Sequence, residues 1–196
     1  MRARFGRMES WLADRWVAGA GFMAAALLAS TPLLAMVAPL ALVLIFLHSP
    51  GYMMHQVEEH AGDRFRRFAN DRVFGGREAL TTPAVLVINV GVVWLLNLGA
   101  LYAALAWGAG YGLVAPYAML VNALTHIGAR LRLGAYNPGL MTAVVLFLPL
   151  SVTTIAVIGM EPEVGWRLHA AGLAGALLLH LAIVAHVALR LRRLPG

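Results

Sequence analysis

The sequence contains no cysteine and no lysine. Without cysteine, neither a disulfide framework nor a thiolate metal site can form. Charge of either sign is scarce: 12% of the 196 residues are charged and 61% are hydrophobic. An ordinary globular domain has about 25% charged and roughly 45–50% apolar residues. Both departures point to a polytopic membrane protein, and the mean hydropathy of +0.77 agrees. The apolar runs do not alternate with polar residues, which excludes a transmembrane barrel. The net charge of +6 rests on arginine alone. In a soluble chain that excess would suggest nucleic acid. Here the arginines flank apolar runs, so they report topology, and nucleic acid is not an expected partner.

A membrane span needs about 20 apolar residues. The run from Trp16 to Leu47 is too long for one upright span, reaching roughly 48 Å against a core of about 30 Å. Pro32 and Pro39 interrupt it, which predicts one helix near 16–36 and a second near 39–60. Pro50-Gly51 is expected to kink the second helix or to start a new one. Further spans are expected near 82–107, 112–130, 139–159 and 166–189. The fold class is therefore an all-α, polytopic transmembrane helical bundle with about six spans, five being the alternative. It forms a single domain over 1–196, with no internal repeat and no soluble domain. The basic start "MRARFGRMES" resembles a signal peptide, but no clean cleavage site follows its apolar stretch. It reads as a retained first span.

Arg2, Arg4, Arg7 and Arg15 precede the first span, and Arg64, Arg66, Arg67, Arg72 and Arg77 follow the second. Arg130 and Arg132 follow the fourth, and Arg190, Arg192 and Arg193 the sixth. With six spans all these clusters fall on one side, which the positive-inside rule makes cytoplasmic. The expected location is the cell inner membrane, with both termini inside.

Against this apolar background stands "HSPGYMMHQVEEHAG", residues 48–62, at the end of the second span. His55 and Glu59 are four apart and share a helix face, with Glu58 flanking it. His60 points well away from His55. His48, seven residues back, would join them only if Pro50-Gly51 leaves the helix intact. The spacing is one residue short of the inverzincin pattern H-x-x-E-H, in which two histidines bind zinc and the glutamate is the base. In "HQVEE" the second histidine is replaced by Glu59. A catalytic zinc site usually takes three protein ligands, and His126, in the fourth span at similar depth, is the natural third. Two histidines and a carboxylate suit zinc or iron(II). Asn122, four residues before His126, shares its face and is a second-shell or substrate-contact candidate, as are Asn89 and His60. The plain alternative is that Glu58 and Glu59 pair with Arg64, Arg66 or Arg67 at the membrane surface. Ionisable groups inside a bundle are nonetheless functional by default. His169, His180 and His186 read as packed or interfacial histidines, and Asn89 and Asn97 also as interhelical hydrogen-bonding groups. Tyr136, before a turn, either caps the site or anchors at the interface.

These residues carry a resemblance. His55, Glu58 and Glu59, then His126 in "NALTHIGARL", then Tyr136, Pro138 and Gly139 in "AYNPGL" occur in the order that marks the HXXEE-motif family of small bacterial membrane proteins. The resemblance spans about residues 40–155. It implies that Tyr136 and His126 belong to the same site as His55. The family implies no particular activity.

The expected function is that of an intramembrane metal-dependent enzyme, hydrolase-like, with isomerisation or oxidation as other reaction types. His55, Glu59 and His126 are the expected ligands of a divalent metal, zinc or iron. Glu58 is the expected general base, and Tyr136 the donor to a developing oxyanion. The expected partners are membrane lipid and an amphipathic small-molecule substrate, lipid-like or isoprenoid. The alternative is a non-catalytic carrier or receptor that binds a proton, a cation or a small molecule at the same His/Glu site. The arginine pattern has its own test. Reporter fusions to the two termini should both report a cytoplasmic location, and opposite locations would contradict the orientation.

Overall fold

The computed structural model describes residues 2–194, with side chains described at Trp11 and from Arg15 onward. The side chains of Arg2, Arg4 and Arg7, used above for topology, lie outside the described residues, as does Gly196. All regular structure among the described residues is helical. Six helices are long and apolar enough to cross a membrane. They are α1 (Arg2–Val37), α2 (Leu40–His60), α3 (Thr82–Trp107), α4 (Val114–Leu133), α5 (Leu140–Gly159) and α6 (Trp166–Arg193). The count is six, not five. The long apolar run breaks at Pro39, which is extended at ψ 150° and caps α2, while Pro32 stays inside α1.

Pro50 rules out one of the two alternatives expected of it, a new helix. It neither ends α2 nor starts a new helix, and α2 runs unbroken from Leu40 to His60. Pro50 is fully buried, so neighbouring helices hold the segment in place. Beyond His60 the chain turns sharply through Gly62 and Asp63, both left-handed at φ 63° and 61°. A short helical hook, Arg64–Phe68, follows and runs into a π-helical turn, Ala69–Val73. Asn70 pins the rest of this connection. Its amide donates to the Leu80 carbonyl and its oxygen accepts from the Leu80 N–H, both at 2.9 Å.

The helix α2 is the hub of the bundle. In its apolar window 61% of residues are buried, against 11% for α1 and 17% for α6. It carries the titratable groups because it is the helix least exposed to lipid. Its outer half packs Ala41 and Ile45 against Ala104, Leu113 and Ile158. Tyr52, nearer the site, packs with Val93, Met119, Ala143 and Phe147. Met53 meets Ala20 and Ala24 of α1. Lipid tails are as apolar as leucine, so close packing of small residues drives helix association here.

Gly172 of α6 shows how close that packing is. A Cβ built there would lie 2.9 Å from the Leu113 Cβ and 3.0 Å from the Leu113 carbonyl carbon. Backbone cannot retreat as a side chain can. Gly172→Val should therefore destabilise the bundle by about 1–3 kcal/mol, the usual range for overpacking. Thermal unfolding in detergent would measure this. Gly128→Ala, where nothing lies within 4 Å of the added carbon, should be neutral or slightly stabilising.

Candidate metal centre

His55 and Glu59 face the bundle interior from the last turns of α2, and His126 faces them from α4. All three are buried, at 1%, 6% and 5% exposure. One ligand atom from each lies within 4.8 Å of the others. The His55 Nε2 is 3.5 Å from Glu59 Oε2, and the His126 Nε2 is 3.5 Å from Glu59 Oε1. Two ligands bound tetrahedrally at 2.0–2.1 Å stand about 3.3–3.4 Å apart. The observed spacing is thus too long for a hydrogen bond and suited to a shared ion. The His55 Nε2 has no hydrogen-bond partner and no solvent contact. A buried polar atom without a partner is costly, and an ion would satisfy it.

The other nitrogen of each imidazole is committed. His126 Nδ1 lies 2.7 Å from the Asn137 oxygen, while the Asn137 amide donates to the His126 carbonyl. An amide oxygen only accepts, so Nδ1 carries the proton and Nε2 keeps its lone pair. His55 Nδ1 lies 2.7 Å from the Thr142 hydroxyl, which donates to Glu58 Oε2 at 2.5 Å. That hydroxyl has one proton and gives it to the carboxylate, so it accepts from His55 Nδ1–H. Both tautomers are fixed with the Nε2 lone pair free toward Glu59, the arrangement that hydrogen-bond partners of metal-binding histidines impose.

Glu58 is the most heavily engaged group in the region. Its Oε1 accepts from the Tyr136 hydroxyl and from the backbone N–H groups of Gly139 and Met141. Its Oε2 accepts from the Thr142 N–H at 2.8 Å as well as from the Thr142 hydroxyl. Met141 and Thr142 open α5, whose first N–H groups have no intrahelical partner. Gly139, the N-cap residue, has no side chain to offer them. Glu58 therefore caps α5 from another helix, where a carboxylate also suits the helix dipole. Partial burial and the Glu58 carboxylate push the Tyr136 phenol up to about 12. Tyr136 thus keeps its proton at neutral pH and donates it to Glu58.

Gly139 is required twice. Its φ is +94°, a conformation that favours glycine. A Cβ there would lie 2.7 Å from Cε1 of both His55 and His126. The bare backbone of this turn forms one wall of the site, and Phe147 forms another, its ring 4.3 Å from that of His55.

The remaining candidates are placed as follows. His60 does not stand apart: its Nε2 is 2.9 Å from Glu59 Oε2, though without hydrogen-bond geometry. No hydrogen bond joins Asn122 to His126, and the Asn122 Oδ1 is buried without a partner; Asn137, at the turn, takes the place expected for it. Asn89 bonds Gln56, which also accepts from Trp94 Nε1, so it belongs to a separate polar cluster between α2 and α3. His48 bonds the Leu44 carbonyl one turn back and stays outside the ligand group, although the helix between it and His55 is intact. Neither Glu58 nor Glu59 pairs with an arginine among the described residues. Arg66 pairs with Asp63 and Glu78, and Arg64 bonds the Glu58 backbone carbonyl. Thr142 and Asn137 were missed, although both lie within three residues of Gly139.

The family described as "Protein of unknown function with HXXEE motif" matches residues 46–154, more than half of the chain. The chain belongs to the HXXEE family. Neither a curated protein nor a solved structure matches it. Every site residue described above lies inside the matched segment. The x of H-x-x-E-E that precedes the glutamates is Val57, half-buried, whereas Gln56 at the other x position is fully buried and hydrogen-bonded.

The HXXEE geometry separates two kinds of damage. Thr142→Val and Asn137→Leu remove the partners of Nδ1 and keep the ligands, so each should weaken metal binding about 10–100-fold. Gly139→Ala adds a carbon against both imidazoles and should weaken it at least as much. Titration with Zn²⁺ or Co²⁺ under competition by a chelator would read all three. Unchanged affinity in Thr142→Val would mean that His55 is not oriented through that hydroxyl.

Proposed function

We propose that this HXXEE protein is an intramembrane metal-dependent enzyme, hydrolase-like, acting on a lipid-like or isoprenoid substrate. The observation that carries the reading is the convergence of two tautomer-fixed histidines and a buried carboxylate on one point. His55 and His126 offer Nε2 and Glu59 offers its oxygens. Three protein ligands leave a position open, as catalytic sites do and structural zinc sites do not. When bound, a divalent ion such as zinc or iron(II) supplies Lewis acidity and lowers the pKa of coordinated water.

The remaining roles follow from what each side chain already touches. Sequence reading made Glu58 the general base. That duty needs a free lone pair near the ion, and five donors occupy Glu58. We assign Glu58 instead to positioning, since it sets the turn at Gly139 and, through Thr142, the tautomer of His55. Tyr136 closes that latch. Glu59, whose two oxygens face different imidazoles, is the carboxylate beside both histidines and the group placed to take up a proton there. By the positive-inside rule the basic end of the bundle faces the cytoplasm. This puts the site near the cytoplasmic side of the cell inner membrane. The saturation of Glu58 also favours one second reading, a non-catalytic carrier or receptor that holds a cation, proton or small molecule at the same residues.

Metal content decides between them. Protein purified without chelators should contain stoichiometric zinc or iron, and His55→Ala, Glu59→Ala and His126→Ala should each lose it. Glu58→Gln replaces an acceptor oxygen with an N–H donor facing other donors. It should lower stability by about 2–4 kcal/mol, in line with lost charge-assisted hydrogen bonds, and weaken metal binding without abolishing it. Wild-type protein free of transition metal would overturn the metalloenzyme reading.

A further inference from the structure

A cavity of about 310 Å³ adjoins the cluster at the basic end of the bundle. Its polar wall is His60, Asp63 and Thr82, and its apolar wall is Trp16, Val17 and Val85. Three helices contribute: the start of the apolar part of α1, the end of α2 and the start of α3. His60 forms the partition between this cavity and the metal ligands. It lines the cavity, is only 6% exposed, and its Nε2 has no hydrogen-bond partner and sits 2.9 Å from Glu59. The Trp16 ring, 5.1 Å from the His60 ring, holds it on the cavity side.

The backbone is strained to make this wall. Asp63 is the one non-glycine residue with positive φ among the described residues. Such strain persists only where surroundings over-determine it, and it concentrates at functional sites. Arg66 fixes Asp63 here, its Nε and Nη2 donating to the carboxylate at 2.9 and 2.6 Å. The left-handed pair Gly62-Asp63 ends α2 at His60 and brings the aspartate to the same cavity as the histidine.

We propose that this cavity is the entry to the metal centre and binds the uncharged, hydroxyl-bearing head of an amphiphile. The inference rests on the enzyme reading above and names its substrate class. The volume is at the low end of ligand pockets, roughly 300–1,000 Å³. It holds a head group and not a whole lipid. The connection from 61 to 81 is rich in arginine, yet among the described residues no arginine lines the cavity. Its acidic group is Asp63, with Glu59 behind His60. A phosphate head would find Arg66 already committed to Asp63 and the Glu59 carboxylate behind His60, whereas a hydroxyl can donate to Asp63 and accept from, or donate to, the imidazole. The apolar wall takes the first carbons of the chain, which then runs out into lipid.

The absence of native cysteine makes a clean test available. Val17→Cys and Thr82→Cys each place a single thiol in the cavity, and Arg77→Cys places one on the exposed connection outside it. The full-length variants are reconstituted in phosphatidylcholine vesicles and modified with a water-soluble methanethiosulfonate. Monoacylglycerol is the probe, and lysophosphatidic acid, with a similar chain and an anionic head, is the comparison. At ~10 times its Kd, monoacylglycerol should slow modification of both cavity thiols about tenfold by mass action. Arg77→Cys should be unaffected, and lysophosphatidic acid should protect little. Absence of protection at both cavity thiols, or stronger protection by lysophosphatidic acid, overturns the proposal. Metal is assayed in the same samples. Protection in metal-free protein would retain the cavity as a binding site and refute the metal centre. Bound metal without protection would refute the cavity and retain the metal centre.

Discussion

The carboxylate of Glu58 holds the start of α5 against the end of α2, and the candidate metal centre depends on that grip. A helix that begins at the membrane surface needs partners for its first N–H groups. The residue that should supply them locally is Gly139, which has none to give. Any side chain at that position would collide with the two imidazoles. The capping function has therefore moved to another helix. One carboxylate satisfies three backbone donors and two hydroxyls, and one of those hydroxyls in turn orients His55. The adjacent glutamates thus divide the work. Glu59 faces inward to the histidines, while Glu58, 100° round the helix, faces the α4–α5 turn.

The polar interior is arranged so that few groups lack partners. Gln56 is fully buried, but its amide donates to Asn89 and its oxygen accepts from Trp94. His180 bonds a carbonyl one turn back in its own helix, and Tyr117 bonds His169. In hydrocarbon each unsatisfied group costs several kcal/mol. Among the described residues the buried side-chain atoms left without a partner are those of His48, Asn97, Asn122 and Ser151, each alone, and of His55 and His60, which stand together beside Glu59. What distinguishes the pair on His55 and His60 is that both atoms face one carboxylate.

Much of the architecture was legible in the sequence, for physical reasons. Apolar length and proline place helix ends, and the span read as 82–107 is observed as Thr82–Trp107. Helical periodicity put His55 and Glu59 on one face, and matching depth paired them with His126. The contacts of single polar residues across long separations were not legible. Asn137 before Pro138 has the chemistry of a turn, and nothing local says that its oxygen serves an imidazole. Thr142 looks like one of many threonines in a span. Glu58 was read as a base because it stands at the glutamate of the H-x-x-E-H pattern, whereas its five donors come from residues 78–84 positions away. His60 was kept as a candidate but turned away from His55 on helical phase, whereas its imidazole lies beside Glu59, where α2 ends. Pro50 starts no new helix, because burial within the hub compensates for its missing N–H.

The π-helical stretch Ala143–Phe147 lies directly after Thr142. Thr142 and Phe147 both touch His55, one through its hydroxyl and the other through its ring. They are five residues apart. On a regular α-helix such residues point about 140° away from each other. A π turn, with its i→i+5 hydrogen bonds, stacks them on one side. The extra residue in α5 is what lets one helix both orient the imidazole and cover its face. Most of its side chains can be exchanged for others of similar size, but its length cannot change. Loss of a single residue between Thr142 and Phe147 would wind the turn back to α and cost His55 one of its two neighbours.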